Sequence, residues 1–309
     1  MTYLGEIAAL LTAVCWTITA MAFESAGKRV GSLPVNLIRL ILGFLFLSVF
    51  TWIYRGQILP LDANAAVWFW LSLSGLIGFV IGDLLLFQAF VIIGSRISML
   101  IMSSVPPLTA LIGWMMMNEH MTIHQLAGMF LTLVGICMVI LDRKPKQSNM
   151  RLNYSFSGIL FAFGGSLGQA VGLVLSKYGM SLNNPLSKTE PYDAFAGTQI
   201  RIIAGMIGFS ILFVFLRSWS SVIKSLSNRD AMIRISVGSF FGPFLGVSFS
   251  LLSIQYTVTG VASTIMAIVP ILIIPPAILI FKEKVAMKEV IGAVLAVAGV
   301  ALLFICKKT

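Results

Sequence analysis

Asp83 is an acidic side chain inside an apolar stretch running from Val67 to Ile93, with Phe87 one helical turn beyond it and Gln88 next in line. A carboxylate in such surroundings can bind and release a proton as water gains and loses access to it, or it can hold a neighbouring helix through a hydrogen bond. Arg39 and Arg201 also stand inside apolar stretches, each three residues after a polar one, Asn36 and Thr198. A charged fork of donors at that depth anchors a helix or contacts a solute, and its recurrence favours the anchor. Gln88 and Gln169 are uncharged polar residues suited either to a solute or to an interhelical hydrogen bond. Trp16, Phe87 and Phe90 offer aromatic faces that would line an apolar cavity or turn to lipid. His120 and His124 are four apart beside Glu119, but no third ligand accompanies them, and the stretch reads as a solvated turn instead of a zinc site. The apolar stretches carry no nucleophile with a base and no paired carboxylates, so neither catalytic residues nor a metal or other cofactor are expected.

The elements that position these groups are helices in lipid. Of 309 residues, 58% are hydrophobic and 10% charged, against roughly a quarter charged in an ordinary soluble domain, and the mean hydropathy is +0.99. That leaves too few polar side chains to cover a water-soluble surface, so lipid must solvate much of the exterior. The net charge of +10 does not mark a nucleic-acid binder, because the basic residues sit in short gaps between apolar runs without interleaved aromatics. Cys15, Cys137 and Cys306 lie in apolar segments with no metal or redox spacing and read as small hydrophobes.

A bilayer core about 30 Å thick needs about 20 helical residues. Breaking the chain at its polar and turn-rich gaps predicts ten spans: Ile7 to Phe23, Val35 to Tyr54, Val67 to Ile93, Ser98 to Met117, Leu126 to Leu141, Ser157 to Leu175, Ala194 to Leu216, Met232 to Ile254, Ala262 to Phe281 and Val290 to Cys306. The first apolar run lacks a basic region before it and a cleavage site after it, and is expected to be a retained span. A basic linker at 142–154 separates a first five-helix unit, 1–141, from a second, 155–309.

The two units are self-similar. At an offset of 164, Gly78 falls on Gly242, Gly82 on Gly246, Pro106 on Pro270, Glu119 on Glu283, Gly128 on Gly292 and Gly135 on Gly299. In the second span of each unit the offset is 162, pairing Arg39 with Arg201 and Gly43 with Gly205; in the first it is 153, pairing Gly5 with Gly158. Five is odd, so the second unit enters the membrane from the opposite side, and an all-α bundle of ten transmembrane helices in two inverted five-helix repeats is expected, the pattern of secondary transporters. Inversion puts the equivalent residues Glu24 and Lys177 at opposite mouths. Glu24 is expected to pair with Arg39, and Lys177 to join Arg201 in attracting an anion. Pro106 and Pro107 in the fourth span, and Pro270, Pro275 and Pro276 in the ninth, remove backbone donors and are candidate gating kinks. The glycines at four-residue spacing in the third and eighth spans read as close helix packing.

Taken in order, Trp16, Arg39 and Arg201, the GDLLLFQAF stretch from Gly82 to Phe90, and Pro106 or Pro270 thirteen residues before Glu119 or Glu283 resemble the EamA-like branch of the drug/metabolite transporter superfamily. The resemblance covers nearly the whole chain. It implies a multi-pass protein of a bacterial or archaeal inner membrane, a monomer or weak homodimer, that moves an amino acid, related metabolite or drug by alternating access, often outward and coupled to protons. The alternatives are a passive channel or an intramembrane enzyme.

Basic residues divide unevenly between the two faces. The loops after the odd-numbered spans carry Lys28, Arg29, Arg96, Arg143, Lys144, Lys146, Arg151, Arg217, Lys224, Arg229, Arg234, Lys282, Lys284 and Lys288, whereas the opposite face has Arg55, Lys188, Lys307 and Lys308. The positive-inside rule then places both termini outside the cytoplasm, although the family resemblance implies the reverse.

Overall fold

The computed structural model describes residues 3–141, 155–182, 191–272 and 287–305, and every regular element among them is helical. Among the described residues seven helices are long and apolar enough to cross a bilayer: α1 (Leu4–Val30), α2 (Ser32–Arg55), α3 (Ala65–Ser95), α4 (Ile97–Met117), and, in the second half, Phe156–Ser181, Ala194–Phe215 and Arg229–Tyr256. Between the two sets lies α5 (Ile123–Leu141), and the last three are therefore α6, α7 and α8. Two shorter apolar helices follow, α9 (Thr259–Leu272) and α10 (Met287–Ile305). The linker at 142–154, the end of the expected ninth span with Pro275 and Pro276, and Glu283 lie outside the described residues. Large apolar side chains face outward, among them Ile53 at 76% exposure and Phe215 at 78%, as lipid contact requires.

Local sequence accounts for the ends and breaks. Gly31, at φ +88°, gives its N–H to Gly27 at 2.8 Å and turns the chain from α1 into α2 within one residue. Lys28 and Arg29 consequently sit in the last helical turn of α1 instead of in a loop. Side chains of Asn64, Asp193 and Asn228 cap the starts of α3, α7 and α8 by accepting from backbone N–H groups three residues on. Gly94, at φ +82°, is the only hinge needed between α3 and α4.

Two helices widen midway. Leu76–Asp83 in α3 and Phe240–Gly246 in α8 are π-helical, and their first residues are 164 apart, the offset seen in the sequence. Pro243 has no N–H to return to the preceding turn, which a widened turn accommodates. Two others are interrupted: α4 turns at Ser103–Ser104, so Pro106 and Pro107 fall in the first turn of the segment Val105–Met117. The corresponding turn in α9, at Ala267–Ile268, precedes Pro270. These three prolines begin helical segments, where a missing N–H costs nothing, and do not kink continuous ones.

The halves interlock. α1 packs against α8 and α9, and α6 against α3 and α4. A Cβ added at Gly168 of α6 would lie 2.6 Å from the Cα of Gly82 in α3, so these backbones touch with nothing between them.

Candidate functional site: a charged central cavity

The widened segments of α3 and α8 face one another across a cavity of about 640 Å³, its open part included. From the first half come Trp16 of α1, Arg39 of α2, and Phe79, Asp83, Phe87 and Phe90 of α3; from the second, Gln169 of α6, Arg201 of α7, and Pro243, Val247 and Ser250 of α8. Met99 and Met102 of α4 complete an adaptable apolar wall.

Three charges stand in it. Arg39 Nη2 lies 2.6 Å from Asp83 Oδ2, and Arg39 Nε donates to Asn36 Oδ1 at 3.2 Å. The Arg39 guanidinium also lies 4.7 Å from the ring centre of Phe87 and 5.5 Å from that of Phe79. These ring faces attract the cation and leave one edge of the guanidinium to the carboxylate. Arg201, 2% exposed, lies on the same Phe79 ring at 4.8 Å. Its Nε has no hydrogen-bond partner among the described residues.

The structure places seven of the residues singled out in sequence on this cavity: Trp16, Arg39, Asp83, Phe87, Phe90, Gln169 and Arg201. Three others lie elsewhere. Gln88 is on another face of α3, where its Oε1 accepts from Ser32 Oγ at 2.6 Å and ties α3 to the first turn of α2. Glu24 does not pair with Arg39, which is taken by Asp83; it binds Lys28 at 2.5 Å and accepts from Ser95 Oγ at the end of α3. Lys177 does not join Arg201. Its Nζ lies 2.5 Å from Glu119 Oε1 and donates to the carbonyl of Thr257 at 2.6 Å, so its charge is neutralised at the end of the bundle.

Sequence reasoning did not find the groups that close this end. Glu119 Oε2 accepts from Thr259 N at 2.9 Å and Oγ1 at 2.6 Å, capping α9. Arg55 binds Asp62 at 2.7 Å, and the Tyr192 hydroxyl donates to the same carboxylate at 3.0 Å. Burial and the adjoining Asp62 push the Tyr192 phenol above its ordinary range, keeping it a donor. Gln199 reaches back to the carbonyl of Ile58 at 2.7 Å. All of these bonds join the first half to the second except Arg55–Asp62. The recurrence of Glu119 at Glu283 was the available signal for one of them; Phe79, one turn before Asp83, was detectable from helical spacing alone.

A multi-pass helical bundle with a charged cavity lined by both of its halves has the architecture of a membrane transporter. The chain belongs to the EamA-like transporter family, whose sequence profile matches residues 3–141 and 156–305. It is 30% identical over 138 residues to YoaV, an uncharacterized transporter of Bacillus subtilis (strain 168). That match takes in 43% of this chain and 46% of the relative, so the chain spans about half the length of the relative it matches. One solved structure, titled only as the crystal structure of a protein, superposes with a TM-score of 0.68 at 16% identity, over 96% of this chain and 95% of that one, and shares its fold.

Proposed function

We propose that this protein is a secondary transporter of a small metabolite, working by alternating access around the central cavity in a bacterial inner membrane. The reading takes its ten helices as spans in two inverted five-helix units, with the solute held between Arg39 and Asp83 of one unit and Arg201 of the other. Export is the assigned direction, and Asp83 is the group that carries the proton. The observation that supports it most is the recurrence at matching positions of a widened helix beside the cavity, Leu76–Asp83 and Phe240–Gly246, and of an interrupted helix beginning at proline, Val105–Met117 and Val269–Leu272. Such paired breaks let each unit move against the other around a fixed site. Pro106, Pro107 and Pro270 begin the segments that would move, and Pro275 extends the same assignment.

The test is uptake of a metabolite panel into proteoliposomes with and without an imposed proton gradient. Uphill accumulation that collapses with the gradient supports the carrier. Flux that only ever runs downhill selects a channel.

A further inference from the structure

Among the described residues the cavity is lined by two arginines but one acid. The sequence offsets put Arg201 where Arg39 stands, and Val247 where Asp83 stands. In the first half the arginine meets its acid at 2.6 Å; in the second the acid's position is taken by a valine that lines the same cavity. Arg201 is therefore a cation, 2% exposed, with an unpartnered Nε; Asp83 acts on it through space but is hydrogen-bonded to Arg39, so among the described residues no carboxylate makes a direct pair with Arg201. Two buried arginines sharing one acid leave a charge only partly compensated at this depth, which is costly and marks a functional group.

We propose that Arg201 is the anion subsite of this transporter, and that the solute carries a carboxylate that takes, beside Val247, the part Asp83 plays in the first half. The assignment rests on the transporter reading above and deepens it to a substrate class. Among the described residues Arg39 and Arg201 against Asp83 leave the cavity with one net positive charge, which matches a monoanion; a dianion would leave a negative charge uncompensated against a largely apolar lining. The rest of the lining sets the solute's body. Phe87 and Phe90 stack at 5.5 Å, and with Met99 and Trp16 they form a wall that accepts an apolar or aromatic group. The class is thus an amphipathic monocarboxylate. The Phe79 ring, under both guanidinium groups, keeps Arg201 from swinging away when the site is empty.

The test is equilibrium binding to the purified full chain in lipid nanodiscs, read by tryptophan fluorescence and by thermal unfolding, with phenylacetate and its isostere phenylacetamide as probes. The acid is expected to bind about ten- to a hundred-fold more tightly than the amide, the difference a charge-assisted hydrogen bond supplies. Val247→Asp, which rebuilds in the second half the pair present in the first, should abolish that preference while leaving Arg201 and the fold in place. Arg201→Gln should abolish it too, and Arg201→Lys should keep part of it. Equal affinity for acid and amide in the unaltered protein, failure of both to bind, or a preference that survives Val247→Asp overturns the proposal. Because binding is measured without flux, these outcomes are separate from those of the proteoliposome experiment: a carboxylate-selective protein with only downhill flux would keep the subsite and sink the carrier.

Discussion

Lys177 at the end of α6 and Glu119 at the end of α4 meet at 2.5 Å across the boundary between the halves. The same carboxylate caps α9 through Thr259, while Lys177 also holds the carbonyl of Thr257 where α8 ends. Four helix ends thus converge on one ion pair, at the end of the bundle where Arg55, Asp62 and Tyr192 also join. In the proposed alternating-access cycle such a closure would break once per turn, and the pair would stabilise one of the two states in preference to the other.

Glu119→Gln should loosen that end. It leaves Lys177, only 17% exposed in its side chain, without a counter-charge, at a cost of about 1–3 kcal/mol once partial screening is allowed for. The check is the rate at which a membrane-impermeant maleimide modifies Ser263→Cys, in a background with the native cysteines replaced. Ser263 is 2% exposed beside Thr109, beneath the closure. Labelling should rise several-fold with Glu119→Gln, and an unchanged rate would show that the pair does not close this end.

Gly168→Ala should destabilise the bundle far more than alanine does at a lipid-facing site. The new Cβ would fall 2.6 Å from the backbone of Gly82, which cannot rotate away as a side chain would. α3 and α6 would have to separate, at a cost of about 1–3 kcal/mol. Thermal unfolding in detergent reads this directly, and a midpoint equal to the parent's would mean that the contact is slack.

The contrast between legible and hidden features has a physical cause. Glycine and proline at an offset of 164 were readable because each answers to a local backbone demand: Gly82 to contact with Gly168, and Pro106 and Pro270 to the first turn of a segment. The depth of Asp83 was readable from the apolar run around it. Its partner was not, because hydropathy reports depth and says nothing about which way a helix is rotated; Arg39 was therefore assigned to Glu24 when it turns instead toward α3. Lys177 failed similarly, since its partner Glu119 lies in the other half, and only the packing of α4 beside α6 brings them together. The prolines misled in one respect. They were expected as kinks, but the turn at Ser103–Ser104 ends one helical segment before Pro106 opens the next.

The basic residues predict the orientation in the membrane. Lys28 and Arg29 close α1, and Lys224, Arg229 and Arg234 belong to the α7–α8 connection and the start of α8, all at one end of the bundle. The other end has Arg55 and Lys177, both paired with acids. The positive-inside rule places the first end in the cytoplasm and both termini outside it. A reporter fused to the carboxy terminus and active only in the cytoplasm should stay silent, while one active only outside should give signal. The reverse pattern would show that the charge bias does not set the topology here.

Asp83 makes the most demanding prediction, because its pairing with Arg39 joins stability to transport. Asp83→Asn keeps the side-chain volume and one acceptor but removes the charge facing an arginine that is 3% exposed. Stripping one partner from a buried pair costs about 3–5 kcal/mol. The three aromatic rings within 5.8 Å of the Arg39 guanidinium should hold the loss toward the lower end of that range. Combining Asp83→Asn with Arg39→Gln removes both charges and should cost less than the two single changes added together; strict additivity would mean that the contact carries no coupling energy. In proteoliposomes, Asp83→Asn should abolish accumulation driven by a proton gradient, since a group that cannot be protonated cannot release Arg39 and re-form the pair once per cycle. Exchange of solute for solute needs no net proton movement and should persist at a reduced rate. If accumulation survives with the parent's pH profile, Asp83 serves only to hold α2 against α3, and the coupling group must be sought at Glu24 or on the solute itself.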